Sequence, residues 1–337
     1  MRIEENVESA RKRTPCRLCC SASASIILIL FLAGCSTAGP RGAELAATGG
    51  KSARSASATL TALGDAAQGA VEKRELTVAF GKQAQAPDAV LNDMTEAADA
   101  IYQRARMLDQ IGNAYDAFGK LAAYNASDPI SAAFKNLDGA TQAYATAIHA
   151  TLPAGFSELT QAAGALTGLF VNARRDQMLY EGSAQFRQRL VAIDKLLRYE
   201  LVYYTSMRKD AAEKQQMLLD AAVENNLLDA SSLIAAHLTV TGATADKTKI
   251  ADFVAPKGAM KAEWAKAIKA ILARRADTEF AATQKALEGS ADLITKLIKA
   301  HEDFEAKKPL SLDEIATETA SIQALADVFL KYKKASQ

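Results

Sequence analysis

Apolar residues recur three and four positions apart along almost the whole chain, and the strict alternation of a half-buried strand is scarce. The clearest run opens at Pro87-Asp88, with proline at a first helical position. It continues through Leu91, Met94, Ala98, Ile101, Ala105, Leu108, Ile111, Tyr115, Phe118 and Leu121, which predicts a helix ending near Asn125. Ser127-Asp128-Pro129 opens another, with Ile130, Phe134, Leu137, Tyr144 and Ile148 on one side, closed by Pro153. Ser157-Glu158 reopens helix to about Leu179, and Glu181-Gly182-Ser183 predicts a short interruption or kink. From Gln185 to about Asn226 there is neither Gly nor Pro, which as one helix spans about 60 Å. A short element around Ser231–Leu238 precedes a predicted loop at Thr239–Lys257. Helix resumes over Gly258–Lys307 with Trp264, Ile268, Ile271, Phe280, Leu287, Ile294, Leu297 and Phe304, bent at Gly289-Ser290 and stopped by Lys308-Pro309. Ser311-x-x-Glu314 is a capping box directly ahead of Ile315, Ile322, Ala326 and Phe329, so the last helix runs to about Lys334.

Long amphipathic helices separated by short breaks fold back on one another, and the predicted fold is all-α: an elongated antiparallel bundle. About one residue in five is alanine, which lets helix axes approach closely and gives a slender core. The folded part is expected over 51–337, as one bundle or as two with a boundary at 239–257. No repeat recurs in register, which excludes a solenoid. Composition removes further classes: 49% hydrophobic and 23% charged residues exclude a disordered acidic tail, a collagen repeat and a disulfide-stapled toxin. Forty basic against 39 acidic side chains leave no field to gather nucleic acid.

The first 35 residues differ from the rest. Arg2, Arg11, Lys12, Arg13 and Arg17 lie ahead of a small-residue stretch, Ser21–Ser25, and an apolar run, Ile26–Ala33. A basic segment, a short apolar segment and small residues before a break form the pattern of a secretory signal. As helix the run spans about 12 Å, against a hydrocarbon core of about 30 Å. It is too short to cross a membrane. Its ending, Leu32-Ala33-Gly34-Cys35, resembles the lipobox of bacterial lipoproteins. That resemblance covers this segment alone. It implies a signal peptide over 1–34, cleavage between Gly34 and Cys35, and thioether attachment of diacylglycerol to Cys35, often with acylation of the new amine. Ser36 after the lipidated cysteine implies sorting to the outer membrane. A thiol is the one good nucleophile at that site, and two or more acyl chains anchor stably where one does not. Residues 35–50 (from Ser36, STAGPRGAELAATGG) are small and glycine-rich and are expected to form a flexible tether, about 20 Å end to end and about 50 Å at full stretch. Cys16, Cys19 and Cys20 leave with the leader, so the mature chain keeps no free thiol. Removing five basic and three acidic residues with it leaves a formal charge of −1.

Candidate chemistry is sparse. His149, His237 and His301 fall in three separate helical regions, with no HExxH or ExxH pair. His301 and Glu305 share a helix face at i, i+4 and are expected to be a solvated pair rather than metal ligands. No G-x-S-x-G elbow, phosphate-binding loop or strand-linked G-x-G-x-x-G occurs, and no cofactor is expected. Gly164-Ala165-Leu166-Thr167-Gly168 is a GxxxG inside about a dozen apolar residues, too few for a membrane dimer face, and is expected to pack two helices of the bundle. Arg174-Arg175 could meet lipid phosphates, but neighbouring acids dilute their field. Tyr199, Tyr203 and Tyr204 lie among Arg187, Arg189, Lys195, Arg198, Arg208 and Lys209. The plainer expectation packs Tyr199 and Tyr203 into the core and leaves the basic residues solvated. The sharper one makes Tyr199, Tyr203, Tyr204, Arg198 and Arg208 a partner-binding face, since Tyr and Arg dominate binding hot spots. The expectation for the whole chain is a non-enzymatic, lipid-anchored adaptor, scaffold or accessory subunit at the periplasmic face of the outer membrane, with a membrane and a protein partner. The alternative is a carrier holding a lipid or other hydrophobic ligand in the bundle core, in an internal cavity of at least about 300 Å³; a hydrolase is a third reading.

Overall fold

The computed structural model describes residues 37–80, 88–123, 128–161, 175–224, 231, 234, 235, 238, 246–256 and 260–336. Among them the chain forms α1 (Ala38–Phe80), α2 (Asp88–Ala122), α3 (Asp128–Ala147), α4 (Arg175–Glu224), α5 (Lys247–Val254), α6 (Ala262–Glu305) and α7 (Leu312–Ser336), with no strand. Ala38–Gln337 is one compact unit. It is the all-α bundle that the three-and-four periodicity predicts. At 43, 50 and 44 residues, α1, α4 and α6 are rods of roughly 65–75 Å.

Helix ends show the antiparallel arrangement. Gly42, at the start of α1, lies against Ala122 at the end of α2 and Phe304 at the end of α6. Gly182, early in α4, lies against Leu121 and against Ile130 at the start of α3. The starts of α1, α3, α4 and α7 therefore gather at one end of the bundle with the finishes of α2 and α6. One continuous core runs along it, built from Leu45, Leu60, Leu108, Phe118, Phe134, Phe186, Leu197, Leu293, Ile294 and Phe304 among others. At the far end Val254, Ile268, Trp264, Met260 and Ile250 form a small separate cluster.

The structure departs from the sequence expectation at three places. Residues 38–50 are the first three turns of α1, not a tether. Glycine in a helix interior costs roughly 1 kcal/mol against alanine, but here Leu45, Gly49, Gly50 and Ala53 face the bundle and are buried. Packing of the face outweighs propensity. At Glu181-Gly182-Ser183, α4 runs through without interruption, because the missing Cβ of Gly182 makes room for Leu121 and Ile130. The predicted loop at 239–257 contains α5, capped by Asp246, whose carboxylate accepts from the backbone N–H groups of Thr248 and Lys249. Its Val254 is buried against Ile268. α6 passes through Gly289-Ser290 as one helix, and α7 begins directly after the predicted cap, Ser311.

Two helices end on residues with left-handed backbone where glycine is usual: His149 (φ 51) after α3 and Lys307 (φ 58) after α6. After α6, Lys307 N–H donates to Phe304 O (3.1 Å) and Lys308 N–H to Asp303 O (2.8 Å), which satisfies carbonyls left open by the end of the helix.

Close approach of α1 and α2 sets a prediction. A Cβ at Gly49 would overlap three ring carbons of Tyr115, and that ring is wedged by Phe186 (centroids 4.5 Å) and His301 (5.6 Å). Gly49→Ala is expected to lose about 3 kcal/mol through overpacking. Gly69→Ala, on the same helix with nothing within 4 Å of the new methyl, is expected to gain up to about 1 kcal/mol. Denaturant melts of both variants check the contrast.

Candidate functional site

Charged and polar side chains cross the core at three levels. At the first, the Arg104 guanidinium on α2 is ion-paired to the Glu200 carboxylate on α4, both 0% exposed. Tyr144 of α3 donates its hydroxyl to the same carboxylate. A second Arg104 nitrogen donates to Ser290 Oγ of α6 (2.6 Å) and to Leu287 O. At the second level, Arg189 of α4 grips Asp138 of α3 through two hydrogen bonds (2.8 and 3.0 Å), donates to Leu159 O and lies 4.5 Å over the Phe134 ring. Burial pushes the Asp138 carboxyl above its ordinary value, and Arg189 only partly offsets this.

The third level contains the feature that most resembles catalytic chemistry. His301 of α6 lies with Nδ1 2.8 Å from Ser183 Oγ and Nε2 3.1 Å from Tyr115 Oη. Ser183 donates its hydroxyl to Glu305 Oε1 (3.0 Å), and Arg187 holds both Glu305 oxygens (3.1 Å). The Ser183 proton is thus spent on Glu305. The ring must donate from Nδ1 and accept at Nε2 from Tyr115, which is the neutral imidazole. Burial, with a smaller contribution from the Arg187 charge, lowers the His301 pKa to about 3, and burial alone raises Tyr115 well above its ordinary range. Ser183, His301 and Tyr115 are all 0% exposed, and the hydroxyl faces a neutral ring with its proton turned away from it. A nucleophile needs a base that takes its proton and a substrate that reaches it. Glu305 accepts the Ser183 proton, but Ser183 itself is shut away from solvent and out of a substrate's reach in this geometry. With Tyr115 and His301 it joins α2, α4 and α6.

Outside the core, an open groove at the start of α4 is lined by Asp176, Gln177, Tyr180, Glu181, Ala184 and Glu305. Three carboxylates on its walls do not suit an acyl chain. Among the described residues no group of His, Cys, Asp and Glu is arranged to hold a metal, and no helix is long and apolar enough to cross a membrane.

The sequence candidates fall as follows. Tyr199 is 50% exposed, so the expectation that it packs into the core is corrected: the inward positions of that turn belong to Leu196, Leu197 and Glu200. Arg198 is bridged to α6, its guanidinium 3.0 Å from Asp292 Oδ1 and Thr295 Oγ1, while Asp194 accepts from Thr295 (3.0 Å). Arg189 is buried rather than solvated, and Arg187 is half-buried against Glu305. Tyr203, Tyr204 and Arg208 lie on α4, but their side chains are outside the described residues, as are Gly34, Cys35, His237 and the Gly164–Gly168 motif. His149 is exposed beside Glu96 (3.3 Å). His301, expected to be solvated beside Glu305, is instead enclosed, because its i−4 and i+3 neighbours Leu297 and Phe304 face the core.

No family model matches the chain, and no curated protein or solved structure does either. The reading of function therefore rests on the residues themselves.

Proposed function

We propose that this chain is a lipid-anchored protein of a bacterial envelope, acting without catalysis as an adaptor, scaffold or accessory subunit on the periplasmic side of the outer membrane. The observation that carries the proposal is Leu32-Ala33-Gly34-Cys35 behind a basic and then apolar leader. The character of the bundle supports it. Among the described residues, Ser183, His301 and Tyr115 are tied to one another across helices, the core is packed with side chains, and the groove at the start of α4 is acidic and open to solvent. Exposed Tyr199, held beside an Arg198 that its bridges to Asp292 and Thr295 keep in place, supports a protein partner on the α4–α6 face. Rigid aromatic and arginine anchors are what hot spots use. An anchor that confines the bundle near the bilayer raises its effective concentration for membrane-bound partners.

The test is mass spectrometry of the amino-terminal peptide from purified envelopes, with fractionation of a Cys35→Ala variant. The expected peptide begins at Cys35 and carries diacylglycerol, and Cys35→Ala leaves the membrane fraction. An unmodified chain still carrying residues upstream of Cys35 ends the proposal.

A further inference from the structure

We infer that the tip built by α5 and the first turns of α6 is a reversible membrane-docking patch, in which Phe253 enters the headgroup layer and the lysines around it meet the phosphates of anionic phospholipid. The inference stands on the side chains of this tip, whether or not Cys35 carries lipid. The tip is set apart from the bundle. From Ala262 to Phe280, α6 buries Ile268 alone, and Ile268 packs with Val254, Ile250, Met260 and Trp264 rather than in the main core. Outside that small cluster stands Phe253, 61% exposed. Its ring meets Trp264 edge-on (centroids 6.1 Å) and lies under the Lys261 ammonium (4.3 Å). Lys249, four positions before Phe253, shares its face of α5.

Charge in this region is lopsided. Residues 225–275 hold eight Lys or Arg against four Asp or Glu. Of those acids Asp246 is engaged as the cap of α5 and draws Lys249 to 3.8 Å, while Asp252 and Glu263 are exposed beside the patch. Asp277 and Glu279 follow only beyond Arg275, toward the bundle. Among the described residues no carboxylate bridges Lys247, Lys261, Lys266, Arg274 or Arg275. The residue types select a bilayer over a protein. Protein interfaces deplete lysine and take Tyr and Arg as anchors. A lysine lays its stem along apolar surface while its head reaches outward, and lysines near an anionic leaflet are drawn to it. An exposed Phe backed by Trp and surrounded by lysines is the chemistry of an interfacial contact. It is weaker than two acyl chains and is stripped by salt, so a salt wash keeps the fractionation of Cys35→Ala readable.

Trp264 is the chain's one tryptophan and reports on the tip directly. The experiment mixes protein purified from envelopes with phosphatidylcholine vesicles in which part of the lipid is brominated phosphatidylglycerol or, as control, brominated phosphatidylcholine. Emission is read as a ratio to the protein alone. It is expected to shift blue and to be quenched about threefold more by the brominated phosphatidylglycerol, the excess vanishing in about 0.5 M salt. Phe253→Ser, and Lys249→Glu with Lys261→Glu, are each expected to cut that excess about fivefold. Their urea midpoints are expected to stay unchanged, since none of these residues belongs to the main core. Lys51→Glu with Lys120→Glu makes the same charge change on exposed positions of the bundle body and is expected to leave the excess intact. Equal quenching by the two lipids, or an excess that ignores the tip substitutions or falls equally with the body pair, overturns the docking patch. A Trp264 shift with soluble polyglutamate but no quenching by either vesicle assigns the patch to an acidic protein and overturns it as well. None of these outcomes bears on lipid at Cys35, which the mass of the amino-terminal peptide decides.

Discussion

Glu200→Ala is expected to cost about 3–5 kcal/mol of unfolding free energy, the usual result of removing one member of a buried ion pair. For a unit of this size that is a fall of about 6–10 °C in Tm. The loss has separable parts. Arg104 would stay buried with only Leu287 O and Ser290 Oγ as acceptors for its charge, and Tyr144 would lose the carboxylate that accepts its hydroxyl. Replacing the pair by apolar residues of similar length, Arg104→Met with Glu200→Leu and Tyr144→Phe, is expected to recover most of the loss, because desolvating two charges offsets much of their attraction. Urea melts of the single and combined variants measure this as a cycle. If Glu200→Ala loses less than 1 kcal/mol, the pair is not dry.

The same cycle tests what the network is for. Alanine seams such as Ala46, Ala53, Ala56 and Ala100 bring helices close but offer little to distinguish one turn from the next. Arg104, Tyr144, Glu200 and Ser290 come from α2, α3, α4 and α6, and their bonds can form in one register only. The apolar combination is therefore expected to come close to the wild type in stability while unfolding less cooperatively, with a smaller dependence of free energy on urea.

How much of this was legible beforehand follows from which signals are periodic. The stripe Ala98, Ile101, Ala105, Leu108, Ile111, Tyr115 located α2 and its inner face, since nothing else in the sequence repeats so regularly. The same stripe holds Arg104, three positions after Ile101 and four before Leu108. Arg189, Glu200 and His301 occupy equivalent places in α4 and α6. Residue type argued for the surface and position argued for the core, and position was right in each case. A charged residue in phase with an apolar stripe is the sign that would have found the network. The start of α1 failed for the opposite reason: its glycines and alanines read as a flexible tether, whereas Gly49 is small because the ring of Tyr115 lies against it. Nothing local marks such a glycine; the partner ring is about forty residues or more away.

The bundle is also expected to lose stability in mild acid through His301. With the folded-state pKa lowered to about 3 by burial and by Arg187, and an unfolded value near 6.5, the unfolded chain binds a proton that the native core refuses. Its stabilising contribution is complete above about pH 6.5 and falls by about 1.4 kcal/mol per pH unit as acid is added, until the folded group itself titrates. That is about 2 kcal/mol by pH 5. Asp138 acts with the opposite sign, since its raised pKa favours the native state as its carboxyl takes up a proton, so the comparison must be a difference. His301→Gln keeps a donor and an acceptor for Ser183 and Tyr115. It is expected to be less stable than the wild type at pH 7.5 and to lose less on going to pH 5, the two curves converging by about one proton's worth of slope. Urea melts at half-unit intervals read the slope directly. Parallel curves would mean that His301 charges inside the folded bundle, against its enclosure by Tyr115, Phe118 and Phe186.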